Sequence, residues 1–388
     1  MVARNVALTL VVALMMLAAG FGVGTYLAGG TATTAIITEI KTTTVVFTER
    51  ITELTTVVMP EARISVVDAL GREITFDKPP TRVVSLAPSI TEMLFALGLQ
   101  DRIVGVTSHC NYPPEVQQLV SKGDITIIGG FWTPDLEKIV SLRPDLVIGS
   151  AGTPPHLRLK ESLEQAGIKV FYIKATAAIN KYDVYSDIRV LAKIFRVEIA
   201  AEELVNRIEV DMEFVEKSIP KDVKPKVLVL LGPPAWGLYS AGGNTFISWL
   251  ITTAGGVNIA AKFTGWPMLD YEFILSHDPD VIIVSAMGSN YTILSKEIAE
   301  TPLAQTKAFK TGRVYLVDQE ANDILVRPGP RLGLALRMLA SILFPDTFGE
   351  PKVPTVYRIS EGTDSITSAG STIRLSTVGT TTHEVVTI

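Results

Sequence analysis

Across 388 residues the chain holds one cysteine, Cys110, which excludes a disulfide framework and any multi-cysteine zinc or iron–sulfur site. The four histidines, His109, His156, His277 and His383, are scattered, so the multi-histidine cage of a free zinc or manganese carrier is missing. Charge is scarce too: 19% of residues are charged, the formal net charge is −5 and no basic run occurs, so nucleic acid is not the main partner. There is no P-loop, HExxH pair, Gly-x-Ser-x-Gly elbow or phosphate-cradling glycine fingerprint after a strand. Long uncharged runs are also few. The one that reaches the ~20 residues of a membrane helix lies at the start, which excludes a polytopic membrane protein.

That run helps to explain a mean hydropathy of +0.33. Val6 to Leu27 is almost wholly apolar and, at about 1.5 Å per residue, long enough to cross a bilayer once. Arg4 on its short side puts the N-terminus in the cytoplasm and the body of the protein outside. A cleaved signal peptide is the competing reading and delivers the body to the same place, but the run exceeds the usual apolar core of about 7–15 residues, which favours the anchor. Phe21 occupies the position that a lipidated cysteine would need. Thr31 to Met59, rich in threonine and valine, reads as a spacer stalk, with short strands as the alternative. The segment from Glu350 onward has a Ser/Thr bias without helical periodicity and reads as loosely structured.

Between stalk and tail, strand-length apolar runs alternate with amphipathic helical stretches, the pattern of a parallel sheet covered on both faces. Arg82 to Leu86 is followed by a helix to Gly98, with Ser89 and Glu92 spaced as a capping box. Further strands are expected at Ile103–Val106, Thr126–Ile128, Asp145–Ile148, Lys169–Ile173, Lys226–Leu231, Val281–Ser285 and Val314–Val317, with a helix opened by Thr133 and Pro134. Tyr182 to Ser218 is long, helical in pattern and almost free of glycine and proline. The expected organisation is 1–30 anchor or signal, 31–62 stalk, 63–178 N-terminal lobe, 179–200 inter-lobe helix, 201–348 C-terminal lobe and 349–388 tail. The fold class is α/β: two Rossmann-like lobes joined by a long helix, with a ligand cleft between them.

A gapless internal repeat aligns Asp135 through Ser150 with Asp270 through Ser285. Identities include Asp135/Asp270, Glu137/Glu272, Pro144/Pro279 and Asp145/Asp280, and upstream Gly130-Phe131 meets Gly265-Trp266. Proline accounts for the helix stop by forcing the preceding residue out of the helix. First-turn acids are favoured by the helix dipole, yet that does not require the two glutamates to match. Ligands of such sheets sit beyond the carboxyl ends of the strands, where the loops hold His109, Asn111, Tyr112, Phe131, Trp132, Trp236, Tyr239 and Trp266. Aromatic faces there suit a large, partly apolar ligand. Trp249 falls in an amphipathic helix and is expected in the core.

Arg82-Val-Val-Ser-Leu-Ala-Pro-Ser89-Ile-Thr-Glu92, Val104-Gly-Val-Thr, Tyr112-Pro-Pro, Arg143-Pro-Asp-Leu-Val-Ile and Gly312-Arg-Val-Tyr-Leu-Val-Asp318 resemble the cobalamin/iron-siderophore family of ABC-transporter substrate-binding proteins. The similarity covers nearly all of Arg63 to Phe344, and the anchored, Thr-stalked arrangement is similar to archaeal members. The resemblance implies a non-enzymatic, monomeric, extracellular protein that delivers a cobalt or iron chelate to an ABC permease and its ATPase subunits, with no intrinsic cofactor. It implies permease docking by Glu137 and Glu272, and ligand contact by His109, Phe131, Trp236 and Trp266, with Asp323 and Arg327 at the cleft rim. Tyr112 and Trp132 complete the candidate ligand set. His109 could be an axial ligand of a bound chelate's metal, although a loop histidine more commonly hydrogen-bonds its surroundings. Aromatics outnumber basic residues in the set, which favours a corrinoid over an anionic ferric siderophore, with haem and oxyanions behind. An enzyme with an α/β cleft and a surface adhesion or structural protein are the alternative classes.

Overall fold

The structure is a computed structural model that describes residues 63–353 and 356–359 in full, and the backbone of short strands at 36–39, 43–46, 55–58, 365–368 and 371–374. The apolar run at 6–27 lies outside the described residues. Among the described residues no helix is long and apolar enough to cross a membrane. Two compact units divide the chain, 1–64 with 75–78 and 65–74 with 79–388. In the first, Ile36–Glu39, Thr43–Val46 and Thr55–Val58 form an antiparallel meander, so these Thr/Val segments take the strand alternative rather than that of a plain spacer.

The second unit contains both lobes. In the N-terminal lobe, β1 (Val83–Ser85), β2 (Ile103–Val106), β3 (Thr126–Ile127), β4 (Leu146–Ser150) and β5 (Lys169–Ile173) make an all-parallel sheet of order β5-β4-β1-β2-β3. β1 and β4 are buried at every position, as expected of strands covered on both faces. Between them run α1 (Pro88–Ala96), α2 (Glu115–Lys122), α3 (Leu136–Ser141), α4 (Pro154–Arg158) and α5 (Lys160–Gln165). α3 begins later than Thr133-Pro134 suggested. Asp135 is its cap, accepting from the Lys138 N–H at 3.1 Å, while Pro134 bridges back to Gly129.

The helical stretch after β5 is two helices, α6 (Lys181–Phe195) and α7 (Glu198–Ser218). Asn180 caps α6 by accepting from the N–H groups of Tyr182 and Asp183, and Arg196 ends it in the left-handed region at φ 56°. The buried Asp187 carboxylate accepts from the N–H groups of Lys174 and Ala175, which fixes α6 to the end of β5.

In the C-terminal lobe the elements are β6 (Lys226–Leu230), β7 (Leu238–Tyr239), α8 (Phe246–Thr253), β8 (Val257–Asn258), β9 (Met268–Leu269), α9 (Tyr271–His277), β10 (Val281–Ser285), α10 (Tyr291–Glu300), α11 (Lys307–Lys310), β11 (Val314–Val317), α12 (Gln319–Val326), α13 (Leu332–Leu343) and α14 (Pro345–Phe348). Its main sheet runs β8-β6-β10-β11 in parallel and then continues antiparallel through β12 (Val356–Ile359), β13 (Ser365–Ser368) and β14 (Ser371–Arg374). The expectation of a loosely structured tail is therefore corrected for these strands. Pairs such as Val317 with Val356 and Val314 with Ile359 give the open edge of β11 a partner.

The internal repeat is structural in detail. Asp145 accepts from the N–H groups of Thr81 (2.8 Å) and Arg82 (2.9 Å), and its own N–H donates to the Arg82 carbonyl. Asp280 does the same to Lys226, accepting at 2.8 Å and donating at 2.8 Å. In each lobe, then, the Pro-Asp aspartate staples the start of one strand to the next.

Candidate ligand-binding cleft

In the N-terminal lobe the candidate residues sit on the loops that leave β2 and β3. Gly129, at φ 98°, and Gly130 form a tight turn in which the Gly130 and Thr133 backbones exchange hydrogen bonds, placing Phe131 and Trp132 at the tip. A Cβ on Gly129 would lie 2.5 Å from the Thr133 carbonyl oxygen, so only glycine fits. The two rings meet edge to face at 4.7 Å, and Trp132 is 61% exposed. Beneath them the fully buried His156 accepts the Ser150 N–H at Nδ1 (3.2 Å) and donates from Nε2 to the Phe131 carbonyl (2.9 Å). Burial pushes its imidazole down to about 4, so the ring is neutral and holds the aromatic tip in place.

His109 is exposed, and its Nδ1 accepts the Phe131 N–H at 3.3 Å. A neutral ring in that tautomer carries its proton on Nε2 and offers no lone pair to a metal, so metal ligation would require this bond to break. Among the described residues no group of three or more His, Cys, Asp or Glu could hold a metal ion.

In the C-terminal lobe Trp236 follows β6 on a short 3₁₀ turn, Pro234–Trp236. β7 and β9 pair as an antiparallel ribbon, extended by bonds from Ser240 N to Pro267 O and from Gly242 N to Gly265 O. The close approach requires glycine: a Cβ on Gly242 would lie 2.5 Å from the Phe263 carbonyl oxygen. Trp266 on this ribbon is 52% exposed, and Trp236, Tyr239 and Met268 of the same lobe are exposed too. Trp249 lies in α8, partly buried against Phe246.

A charged network joins α1 and the loop after β2 in the N-terminal lobe to Asp323, Arg327 and Arg331 in the C-terminal lobe. Glu92 of α1 takes a bidentate bond from Arg331 (2.9 and 2.7 Å) and a further one from Arg327 (3.0 Å). Arg327 also donates to the Asn111 side chain (2.7 Å) and the His109 carbonyl (3.1 Å) and pairs with Asp323 (2.7 Å), which accepts from Asn111 (2.7 Å). Arg331 stacks over Tyr112 at 4.2 Å. Asp323 and Arg327 are thus at the lobe junction, with their charges engaged by protein. The capping-box reading is corrected: α1 starts at Pro88 with Ala87 as its cap, no side chain caps it, and Glu92 points to the other lobe. Proline at the first helical position starts the helix before Ser89, which leaves the hydroxyl inside the first turn.

Glu137 and Glu272 occupy equivalent first-turn positions on α3 and α9, and both are exposed. Each follows a capping aspartate, Asp135 or Asp270, whose side chain accepts the backbone N–H three residues on. Neither glutamate has an ion-pair partner among the described residues.

Residues 83–321 match one known family, described as periplasmic binding protein. An uncharacterized ABC transporter substrate-binding lipoprotein of Bacillus subtilis is 31% identical over 291 residues, 74% of this chain and 87% of that one. A cobalamin-binding protein of Halobacterium salinarum is 31% identical over 274 residues, 68% of this chain and 70% of that one. The solved structure of a periplasmic heme-binding protein of Roseiflexus, in apo form, superposes with a TM-score of 0.60 at 27% identity, over 69% of this chain and 98% of that one. The chain belongs to the periplasmic binding protein family.

Membership of the periplasmic binding protein family supports a solute-binding role and removes the enzyme alternative. It also gives context to what the sequence pattern left out. Glu92 is the one charged residue of α1, whose other side chains are apolar or hydroxyl-bearing, and an acid in such company signals a buried partner. His156, which holds the Phe131 loop, had no local signal, because its partners come from β4 and a distant carbonyl.

Proposed function

We propose that this chain is the extracellular substrate-binding component of an ABC importer, tethered to the membrane by its N-terminal segment, and that it captures a metal chelate as a monomer and hands it to the permease and its ATPase subunits. A corrinoid is the preferred cargo, ahead of a ferric siderophore or haem. The observation that carries this reading is the set of exposed aromatic side chains, Trp132, Trp236 and Trp266 with Phe131, Tyr239 and Met268 beside them, on loops at the carboxyl ends of both parallel sheets. Large exposed aromatics are unusual on a protein surface without a binding role.

The basic residues available to an anionic siderophore are occupied. Arg327 and Arg331 are paired with Glu92, and Lys262 lies over the rings of Phe263 (5.2 Å) and Phe273 (4.5 Å). That leaves a surface suited to a broad macrocycle of low charge, held by ring faces. A cobalamin-binding and a heme-binding relative agree with a macrocyclic chelate.

The test is a thermal-shift screen of the full chain in detergent with hydroxocobalamin, cobinamide, haemin and several ferric siderophores. A bound chelate stabilises by RT ln(1 + [L]/Kd), about 2.7 kcal/mol at 100 times Kd. Cobinamide or cobalamin is expected to give the largest shift, with the absorbance spectrum unchanged in the way that a chelate without a new histidine–metal bond requires. No shift with any chelate would overturn the reading.

A further inference from the structure

We propose that Glu92 is a positioning residue that sets the spacing of the two aromatic walls by clamping the C-terminal lobe through Arg327 and Arg331. The proposal rests on the ligand-capture reading above for its effect on affinity, but its effect on lobe geometry stands independently. Glu92 cannot touch a ligand, since its side chain is 1% exposed. It lies on α1 of one lobe and holds two arginines of the other through three hydrogen bonds.

The bonds continue from there into the candidate site. Arg327 grips the His109 carbonyl and the Asn111 side chain, on the loop that also carries Tyr112. His109 in turn accepts the Phe131 N–H, and the Phe131 carbonyl is held by His156. On the other side, Arg331 stands immediately before α13, whose axis packs on α7. The charge cluster therefore ties the aromatic tip of the N-terminal lobe to rigid helices of the C-terminal lobe. Replacing Glu92 by a neutral isostere leaves one acceptor oxygen for two guanidinium groups, and Arg331 reaches no other acid among the described residues. A buried ion pair that loses one partner is strongly destabilised, and the relief available here is separation of the lobes.

The experiment uses the full chain in detergent with spin labels at Lys122→Cys and Lys296→Cys, one exposed position on each lobe. The native Cys110 is 1% exposed and escapes labelling. Electron–electron distance measurements are compared for Glu92, Glu92→Gln and Glu92→Asp, alongside chelate affinity and circular dichroism. Glu92→Gln is expected to broaden and lengthen the inter-lobe distance distribution and to weaken chelate binding at least tenfold, with helical content retained. Glu92→Asp, which keeps the charge on a shorter arm, should fall between and serves if Glu92→Gln does not fold. A folded Glu92→Gln with the parental distance distribution overturns the clamp, even if its melting temperature falls. Unchanged affinity with separated lobes overturns the link to the aromatic walls. If the parent binds no chelate yet the distances change, the ligand reading fails and the clamp stands.

Discussion

His156 is a buried histidine whose two ring nitrogens are both committed, one accepting and one donating, and its position under Phe131 makes it part of the site's support. Its pKa is lowered from 6.5 to about 4 because burial penalises the cation, only partly offset by the Phe131 carbonyl. The neutral form is the folded form, so the stabilisation is complete above about pH 6.5 and is lost as pH falls toward 4, where the unfolded chain takes up a proton that the folded one refuses. The drop corresponds to roughly 3 kcal/mol. Denaturant unfolding of the parent and of His156→Gln should therefore show a stability gap that narrows between pH 6.5 and pH 4; a gap constant with pH would sink the assignment. Trp266 belongs to the same scale. Half-exposed on the ribbon of β7 and β9, it has contact area to give to a ligand, and Trp266→Ala should weaken chelate binding by about 1–3 kcal/mol by titration calorimetry without lowering the melting temperature of the free protein.

At the scale of elements, the paired aspartates show how the repeat works. Asp145 holds the backbone N–H of Arg82, just before β1, and Asp280 that of Lys226, the first residue of β6, and charge-assisted bonds of this kind contribute more than neutral ones. Asp145→Ala and Asp280→Ala should each cost about 1–2 kcal/mol in chemical denaturation, after discounting for their partial exposure. The strands themselves were legible in the sequence because parallel strands covered on both faces are unbroken apolar runs: Leu146–Ser150 and Val281–Ser285 stand out without any tertiary information. Less legible were elements whose cause is remote. Glu92 fits a capping box by spacing, yet its partners lie 235 and 239 residues away. β12 carries no helical period and was hidden in a Ser/Thr-rich tail, although it completes the sheet beside β11. Truncation after residue 348 removes that partner and takes Tyr357 from its 4.3 Å stack on Tyr291, so the shortened chain should melt several degrees lower and aggregate more readily by light scattering.

For the whole molecule, the aromatic loops and the two glutamates pose separate problems. Holding a ligand requires surface at the carboxyl ends of the strands, whereas delivery requires an orientation that a permease can recognise. We propose that Glu137 and Glu272 serve the second requirement: one on each lobe, equivalent by the repeat, exposed, and each raised on a helix whose cap is already supplied by an aspartate. Local stability does not need them, since Asp135 and Asp270 satisfy the helix ends. Charges set apart in this way fix orientation and speed encounter more than they add affinity, which suits a protein that must release its cargo. The double variant Glu137→Ala with Glu272→Ala should therefore bind chelate within about twofold of the parent, keep its melting temperature, and fail to support ATP-driven uptake in vesicles containing the permease, with each single variant intermediate. A tenfold loss of chelate affinity in the double variant would place the glutamates in the ligand site instead. Full uptake by the double variant would show that docking relies on other surfaces, and the matching of Glu137 with Glu272 would then reflect only the preference of helix first turns for acids.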